Sequence, residues 1–462
     1  MPPIFPLKRL ASAAAITLLC GCSAFQTSTP ETGKAKNVIL FIGDGMGIST
    51  VTAMRIYAGQ QAGGSGEEYV LPFETFDHVA LVKTYNTNQQ VPDSAGTASA
   101  MHTGHKTRAG VLGIGPEARR QNCAEAQQYP LATLGEQAKN RGLSVGIVST
   151  ARLTHATPGA VYAHTLERDW ENDQAMPELA HQQGCVDIAK QLLSFPFDLA
   201  LGGGLANFLP TSEGGKRGDN NIVTEWQQRT QGSFAKTAAQ MYSAPTNAPL
   251  LGLFSPSHMS YMLDKTAEST EPTLAEMTTE SIRRLASKNK GYYLMVESGR
   301  IDHGHHAGQA GYALTEGAAF ADAIQAAMDV TNPEETLILV TADHSHVLTM
   351  AGYPTRGNPI LGLVVSNDSH GETENHPALA GDGVAYTTLG YQNGPGAVSG
   401  KRPTPDTGEK ALQQSLIPAG SETHAGEDVA LYAHGPGAER VKGVMEQNRI
   451  YDVISRALGL KE

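Results

Sequence analysis

The chain has 462 residues, 40% of them hydrophobic, which supplies a large core and excludes a disordered polypeptide. Its formal net charge is −12; residues 1–22 contain no acidic residue and only Lys8 and Arg9 as cations, so the remainder carries −12 − 2 = −14. An acidic surface of this kind argues against nucleic acid as a partner, and any bound anion must meet a locally positive site built from metals or arginine.

Residues 1–22 have the pattern of a targeting segment, with Lys8 and Arg9 ahead of an apolar run over residues 10–19. That run is too short to span a bilayer. It ends in Leu19-Cys-Gly-Cys22, which resembles the lipobox of bacterial lipoproteins, where the last cysteine is acylated and becomes the mature first residue. Cys20 is an unusual occupant of that motif, and an ordinary cleaved secretory signal is the alternative; both export the chain. Residues 23–36 read as a tether. Beyond Cys22 only Cys123 and Cys185 remain. Two leftover cysteines in an exported protein most often pair, although spacing alone does not prove it.

Asn37-Val-Ile-Leu-Phe-Ile42 is a continuous apolar run ending in Gly43-Asp-Gly-Met-Gly47, the pattern of a buried parallel strand and a tight turn into a helix. Asp44 falls just past the strand. Val91-Pro-Asp-Ser-Ala-Gly-Thr-Ala-Ser-Ala100 places Ser94 at the first turn of a small-residue helix, because Pro92 and Asp93 do not continue a helix from upstream. Such a helix start attracts anions. On this window alone Ser94 is a helix cap, and only the metal-binding residue types elsewhere raise it to a candidate nucleophile.

Further buried strands are expected at residues 144–149, 198–201, 292–297 and 336–341, with the clearest helices at 133–141 and 312–328. Strands alternating with helices give an α/β fold: a doubly wound, mostly parallel central sheet flanked by helices, binding ligands beyond the strands' carboxyl ends. Asp44, Glu297 and Asp343 all fall at that edge. Residues 348–422 turn rich in Gly, Pro, Asn, Ser and Thr and form an insertion within a single domain spanning 37–462. An amphipathic helix over 441–458 closes the chain.

Val296-Glu-Ser-Gly-Arg-Ile-Asp-His-Gly-His-His306 packs two carboxylates and three histidines into one segment, and Thr341-Ala-Asp-His-Ser-His346 repeats the theme after another strand. Clusters of this kind after buried strands suit zinc or magnesium ligation better than a structural role. Adjacent Asp343 and His344 reach one metal only if the backbone leaves the regular strand there. Glu422-Thr-His-Ala-Gly-Glu-Asp428 adds His424, with a helix capping box as the structural alternative.

Together with His155-Ala-Thr-Pro158, these motifs resemble, in order along the whole chain, the zinc-dependent alkaline phosphatases. The resemblance implies hydrolysis of phosphate monoesters with Ser94 as the nucleophile that becomes phosphoserine. It implies two zinc ions, one on Asp302, His306 and His424 and one on Asp44, Asp343 and His344, and a magnesium ion on Asp44, Thr157 and Glu297. Arg168 matches the arginine that clamps two phosphate oxygens. His155 and His303 stand where the best-known bacterial members carry an aspartate and a lysine, and resemble the animal and some marine bacterial members. By the same resemblance the insertion is a crown-like interface, the enzyme is a homodimer, and Cys123 and Cys185 are bridged; the lipobox-like segment separately makes Cys22 the expected membrane anchor of a protein of the periplasm or outer membrane. The rivals are a phosphodiesterase or sulfatase of the same superfamily and a surface lipoprotein that binds phosphate or metal without turnover. A sulfatase needs a Cys/Ser-x-Pro-x-Arg signature, which Ser94-Ala-Gly-Thr-Ala98 lacks.

Overall fold

The computed structural model describes residues 33–461. The targeting segment, Cys22 and the tether up to residue 32 lie outside them. Ala35 and Lys36, at the end of the expected tether, are already bonded to the body, through Ala457 O at 2.9 Å and Glu335 O at 2.9 Å.

Fifteen strands are described. They are β1 (Asn37–Gly43), β2 (His78–Lys83), β3 (Ser144–Arg152), β4 (Leu199–Gly203), β5 (Ser233–Ala235), β6 (Leu250–Leu253), β7 (Tyr292–Ser298) and β8 (Thr336–Ala342). After these come β9 (Ser345–His346), β10 (Leu348–Met350), β11 (Leu389–Gly394), β12 (Ser415–Pro418), β13 (His424–Ala425), β14 (Val429–His434) and β15 (Gly443–Glu446). Ten of them form one sheet in the order β15-β2-β14-β8-β1-β7-β3-β4-β6-β5. Every pairing in it is parallel except those of β14, which runs antiparallel to both β8 and β2. β1 lies at the centre between β7 and β8, and every residue of these three strands is buried. That explains their unbroken apolar runs: both faces are covered, so no alternation is needed.

The principal helices are α1 (Ile48–Gln61), α2 (Ser94–Thr103), α3 (Leu134–Asn140), α4 (Leu274–Ser287), α5 (Arg300–His306), α6 (Ala310–Val330) and α7 (Arg449–Ala457). Thr133 and Thr273 start α3 and α4 through reciprocal capping boxes with Glu136 and Glu276. The cap of α2 is Asp93, whose side chain accepts from Gly96 N, so Ser94 is the first helical residue and its hydroxyl is released from capping.

Two expectations are corrected. Residues 441–458 do not form one helix: Gly443 takes φ +68°, residues 443–446 pair with β2, and the helix is confined to Arg449–Ala457. A left-handed glycine breaks the helix, and the open edge of β2 supplies pairing that periodicity alone does not show. The capping-box alternative at Glu422 also falls, because residues 424–425 form β13, paired antiparallel with β9 so that His424 lies opposite His346. Within the insertion, β10, β11 and β12 make a small separate sheet. Cys123 and Cys185 are joined in a disulfide with Cα atoms 5.8 Å apart.

Candidate active site

The parallel topology brings the ends of β1, β7 and β8 together, and each strand delivers a carboxylate there. Asp44 follows β1, Glu297 is the penultimate residue of β7, and Asp343 follows β8 at the point where regular pairing stops. All three are fully buried. The turn after Asp44 passes so close to His346 that a Cβ on Gly45 (φ +70°) would lie 2.3 Å from its ring, so only glycine fits. Burial, reinforced by Asp343, Asp302 and Glu297, raises Asp44 well above the usual carboxylate range, and burial pushes Glu297 up to about 7. Buried carboxylates at this density require cations among them.

Among the described residues, three groups of ligand-type atoms fall within 4.8 Å of one another: Asp302, His306, His346 and His424; Asp44, Asp302 and His344; and Asp44, His155 and Glu297. In the first group, His306 Nδ1 donates to Glu422 O at 2.7 Å and His424 Nδ1 donates to Pro92 O at 2.8 Å. Their Nε2 atoms are therefore lone-pair acceptors, yet they face each other at 3.1 Å, with Asp302 Oδ1 3.3 and 3.4 Å away. Two lone pairs and a carboxylate converging on one point fit a divalent cation with nitrogen and oxygen ligands.

His346 had no role assigned from the sequence. Both its nitrogens are committed to carboxylates, Nε2 to Asp302 Oδ1 at 2.8 Å and Nδ1 to Glu422 Oε2 at 2.5 Å. Burial pulls the imidazole down, but these two bonds outweigh it and lift it to about 10. With both ring nitrogens donating to carboxylates, His346 holds Asp302 in place and offers no lone pair to a metal. The only sequence signal for it was its place two residues beyond His344.

In the second group, His344 Nδ1 donates to Ser345 O at 3.2 Å, leaving Nε2 3.4 Å from Asp44 Oδ1 and 3.4 Å from Asp343 Oδ2. Asp302 lies inside this tight cluster, and Asp343 stands at its edge, with Oδ1 accepting from the amides of Gly45 and His344. Ser94 Oγ is 3.1 Å from His344 Nε2, buried at the first residue of α2.

In the third group, both Asp44 oxygens, Glu297 Oε1, Thr157 Oγ1 and His155 Nδ1 are buried without partners. Thr157 reaches this point on the single helical turn Ala156–Gly159 after β3. Ser149 donates to the other oxygen of Glu297. Orphaned buried oxygens at a carboxylate pair fit a hard cation.

Arg168 is bonded to Asp93, the residue before Ser94. Its Nη1 donates to Asp93 Oδ2 at 3.2 Å and its Nη2 to His155 Nε2 at 3.0 Å. Asp93 thus caps the helix that begins at Ser94 with one oxygen and holds the arginine with the other. His303 lies beyond His155, ring centroids 5.7 Å apart, and His258 packs against His303 with centroids 4.0 Å apart and the rings tilted by 58°. Sequence reading passed over Asp93 as a positioning group, although aspartate is a preferred cap residue, and gave no signal for His258 in its loop after β6.

The sequence profile of the alkaline phosphatases matches residues 35–460. The chain belongs to the alkaline phosphatase family. The tissue-nonspecific alkaline phosphatase of Gallus gallus is 42% identical over 442 residues, covering 90% of this chain and 83% of that protein. The alkaline phosphatase of Gadus morhua is 41% identical over 452 residues, 92% of each. Among solved structures, the alkaline phosphatase of the Antarctic bacterium TAB5 has a TM-score of 0.65 at 23% identity, covering 94% of this chain and all of that one. That of Thermus thermophilus scores 0.66 at 23% identity, covering 93% and 92%. These two show the fold. A histidine variant of the TAB5 enzyme has Mg bound in its M3 site. Alkaline phosphatases are phosphoric monoester hydrolases, and phosphate monoesters are the substrates that fit this chain.

Proposed function

We propose that this alkaline phosphatase works through a phosphoserine at Ser94, with Arg168 as the phosphate clamp. The observation that carries the reading is Ser94 Oγ, buried at the start of α2 beside His344, with Arg168 tied by Asp93 to the same helix. Ser94 Oγ gives up its proton to solvent and forms the bond to phosphorus while the ester's alcohol oxygen leaves on the opposite side and takes a proton from solvent; water then hydrolyses the phosphoserine, one of its protons returning to Ser94 Oγ as inorganic phosphate is released. The planar fork of Arg168 and the positive end of α2 neutralise the phosphate oxygens.

Asp302, His306 and His424 would hold one zinc ion, Asp44, Asp343 and His344 a second, and Asp44, Thr157 and Glu297 a magnesium ion, with His155 beside it. Bound there, these ions supply Lewis-acid stabilisation of the oxygens that gain charge. The facing lone pairs of His306 and His424 and the orphaned oxygens of Asp44 and Glu297 support these sets. The test is a panel of phosphate monoesters, diesters and sulfate esters with metal analysis of the purified protein. Monoester turnover lost to a chelator and restored by zinc with magnesium is expected; preference for diesters or sulfate esters overturns the reading.

We also propose that the mature protein is an exported homodimer anchored through an acylated Cys22 in the periplasm or outer membrane. The lipobox-like Leu19-Cys-Gly-Cys22 supports the anchor. Apolar side chains left open on the insertion, Tyr353 at 89% and Leu416 at 78% exposure, support self-association. Mass spectrometry of the mature amino terminus tests the anchor, and sedimentation of the wild type against Leu416→Asp tests the dimer.

A further inference from the structure

Arg300 opens α5, two residues ahead of Asp302, in a position that folding alone does not explain. Its guanidinium carbon lies over the ring of Tyr261, 3.5 Å from the centroid, and Nη1 donates to His303 Nδ1 at 3.2 Å. Nε is buried without a partner. Among the described ion pairs none includes Arg300, whereas Arg152 nearby is paired with Glu171 at 2.6 Å. The carboxylates whose fields reach Arg300 are occupied elsewhere. Asp264 accepts from Lys410 at 2.5 Å and from Tyr312 OH at 3.0 Å, and Glu271 accepts from Ser260 N at 2.9 Å. Glu316 accepts from Met262 N at 2.6 Å and is pushed up to about 7 by burial. Arg300, His303 and Tyr261 are all partly open to solvent.

A row of donors thus leads outward from the phosphate clamp, from Arg168 through His155 and His303 to Arg300. Because His303 Nδ1 accepts from Arg300, its remaining proton is on Nε2, which is left as a donor. We propose that Arg300 and His303 form a subsite for a second anionic group on the alcohol portion of the substrate, so that monoesters carrying a carboxylate or further phosphate close to the ester are preferred over neutral ones. This rests on phosphate occupying the space between Ser94 and Arg168. Packing over Tyr261 orients the guanidinium in advance, so little side-chain freedom is lost when an anion binds.

The test compares phosphoglycolate with ethyl phosphate, a pair that differs by one carboxylate, in the wild type, Arg300→Met and Arg300→Lys. The ratio of kcat/KM for phosphoglycolate to that for ethyl phosphate should fall about tenfold in Arg300→Met, the order of one charge-assisted hydrogen bond, and be largely kept in Arg300→Lys. Raising ionic strength should lower the wild-type ratio and leave that of Arg300→Met unmoved. Equal loss on both substrates would mean that Arg300 only steadies the helix bearing Asp302, and an unchanged ratio would mean that it meets no anion; each overturns the subsite. If Arg300→Met does not fold, a wild-type ratio independent of salt overturns it alone. Wild-type rates in Ser94→Ala would instead remove the site reading beneath the proposal, and that outcome is separate from any change in the ratio.

Discussion

Arg168 Nη2 donates to His155 Nε2 across 3.0 Å, and this bond and metal ligation by His155 exclude each other. A cation on Nε2 displaces the guanidinium; a cation on Nδ1 forces the ring proton onto Nε2, where it meets another donor. Phosphate offers Arg168 a better acceptor and frees the imidazole. Phosphate and a nitrogen-seeking cation at the third site should therefore strengthen one another, by the same factor in both directions. Cobalt titrations of that site at saturating phosphate should show affinity about tenfold or more above that without it, the worth of one hydrogen bond from a charged donor. In His155→Ala the factor should fall to one. Equal cobalt affinity with and without phosphate in the wild type would refute the linkage.

Ser94→Ala removes the attacking oxygen but leaves every donor in the three ligand groups. Turnover of p-nitrophenyl phosphate should drop by about a hundredfold or more, with metal content unchanged. Acid-quenched wild type incubated with labelled phosphate should carry phosphoserine at Ser94, and the variant none. Near-wild-type turnover in the variant at full metal loading would remove Ser94 from the mechanism.

The double change His155→Asp with His303→Lys replaces a neutral pair by an anion beside Arg168 and a cation beyond it. Burial, with neighbouring arginines, holds both imidazoles below the normal histidine range, so neither contributes a charge in the wild type. The aspartate's charge is met by Arg168 and the cation site, so the lysine's fixed positive charge should grip phosphate more tightly. The inhibition constant for phosphate and kcat should both fall severalfold, since release of product slows. Steady-state kinetics at saturating zinc and magnesium check this, and unmoved constants would leave the two histidines a structural role only.

Glu316 is the clearest source of pH-dependent stability outside the metal ligands. Burial raises it from 4.5 to about 7, against the amide of Met262 and the charges of Arg300 and Lys265. A raised carboxyl binds its proton more tightly in the folded chain, so its contribution is complete below the unfolded value and is lost as pH climbs through about 7. The loss amounts to about 3 kcal/mol at most. Glu316→Gln keeps an oxygen for Met262 N without ionising, so its thermal midpoint should change less between pH 5 and pH 8 than that of the wild type. Parallel midpoints in the two proteins would contradict the assignment.

Much of the sheet was legible because its strands are buried on both faces, which turns them into unbroken apolar runs at residues 37–42, 292–297 and 336–341. The site was legible because parallel strands must present their ends together, so Asp44, Glu297 and Asp343 could be brought to one edge before any coordinates. Other features depended on contacts that no local pattern encodes. β15 exists because β2 has an open edge, and a helix period over 441–458 conceals that. His346 has the composition of a metal ligand, and only its bonds to Asp302 and Glu422 show that it is a support. Arg300 and His258 sit among motif residues or in a loop, and their meaning comes from which neighbours they lack or pack against.

Within the main sheet β2 has two neighbours, β14 and β15, and both are encoded after residue 428. A segment made among the first hundred residues thus waits for residues 429–446 before it has a partner, and β8 keeps a bare edge over the same interval. His424, too, is supplied only at that stage. A ribosome that stops early releases a chain with Ser94 and Arg168 in hand but with an unfinished sheet and a missing donor. Long-range pairing of this kind is slow, so the sheet closes and the site gains His424 only once residues 424–446 have been made.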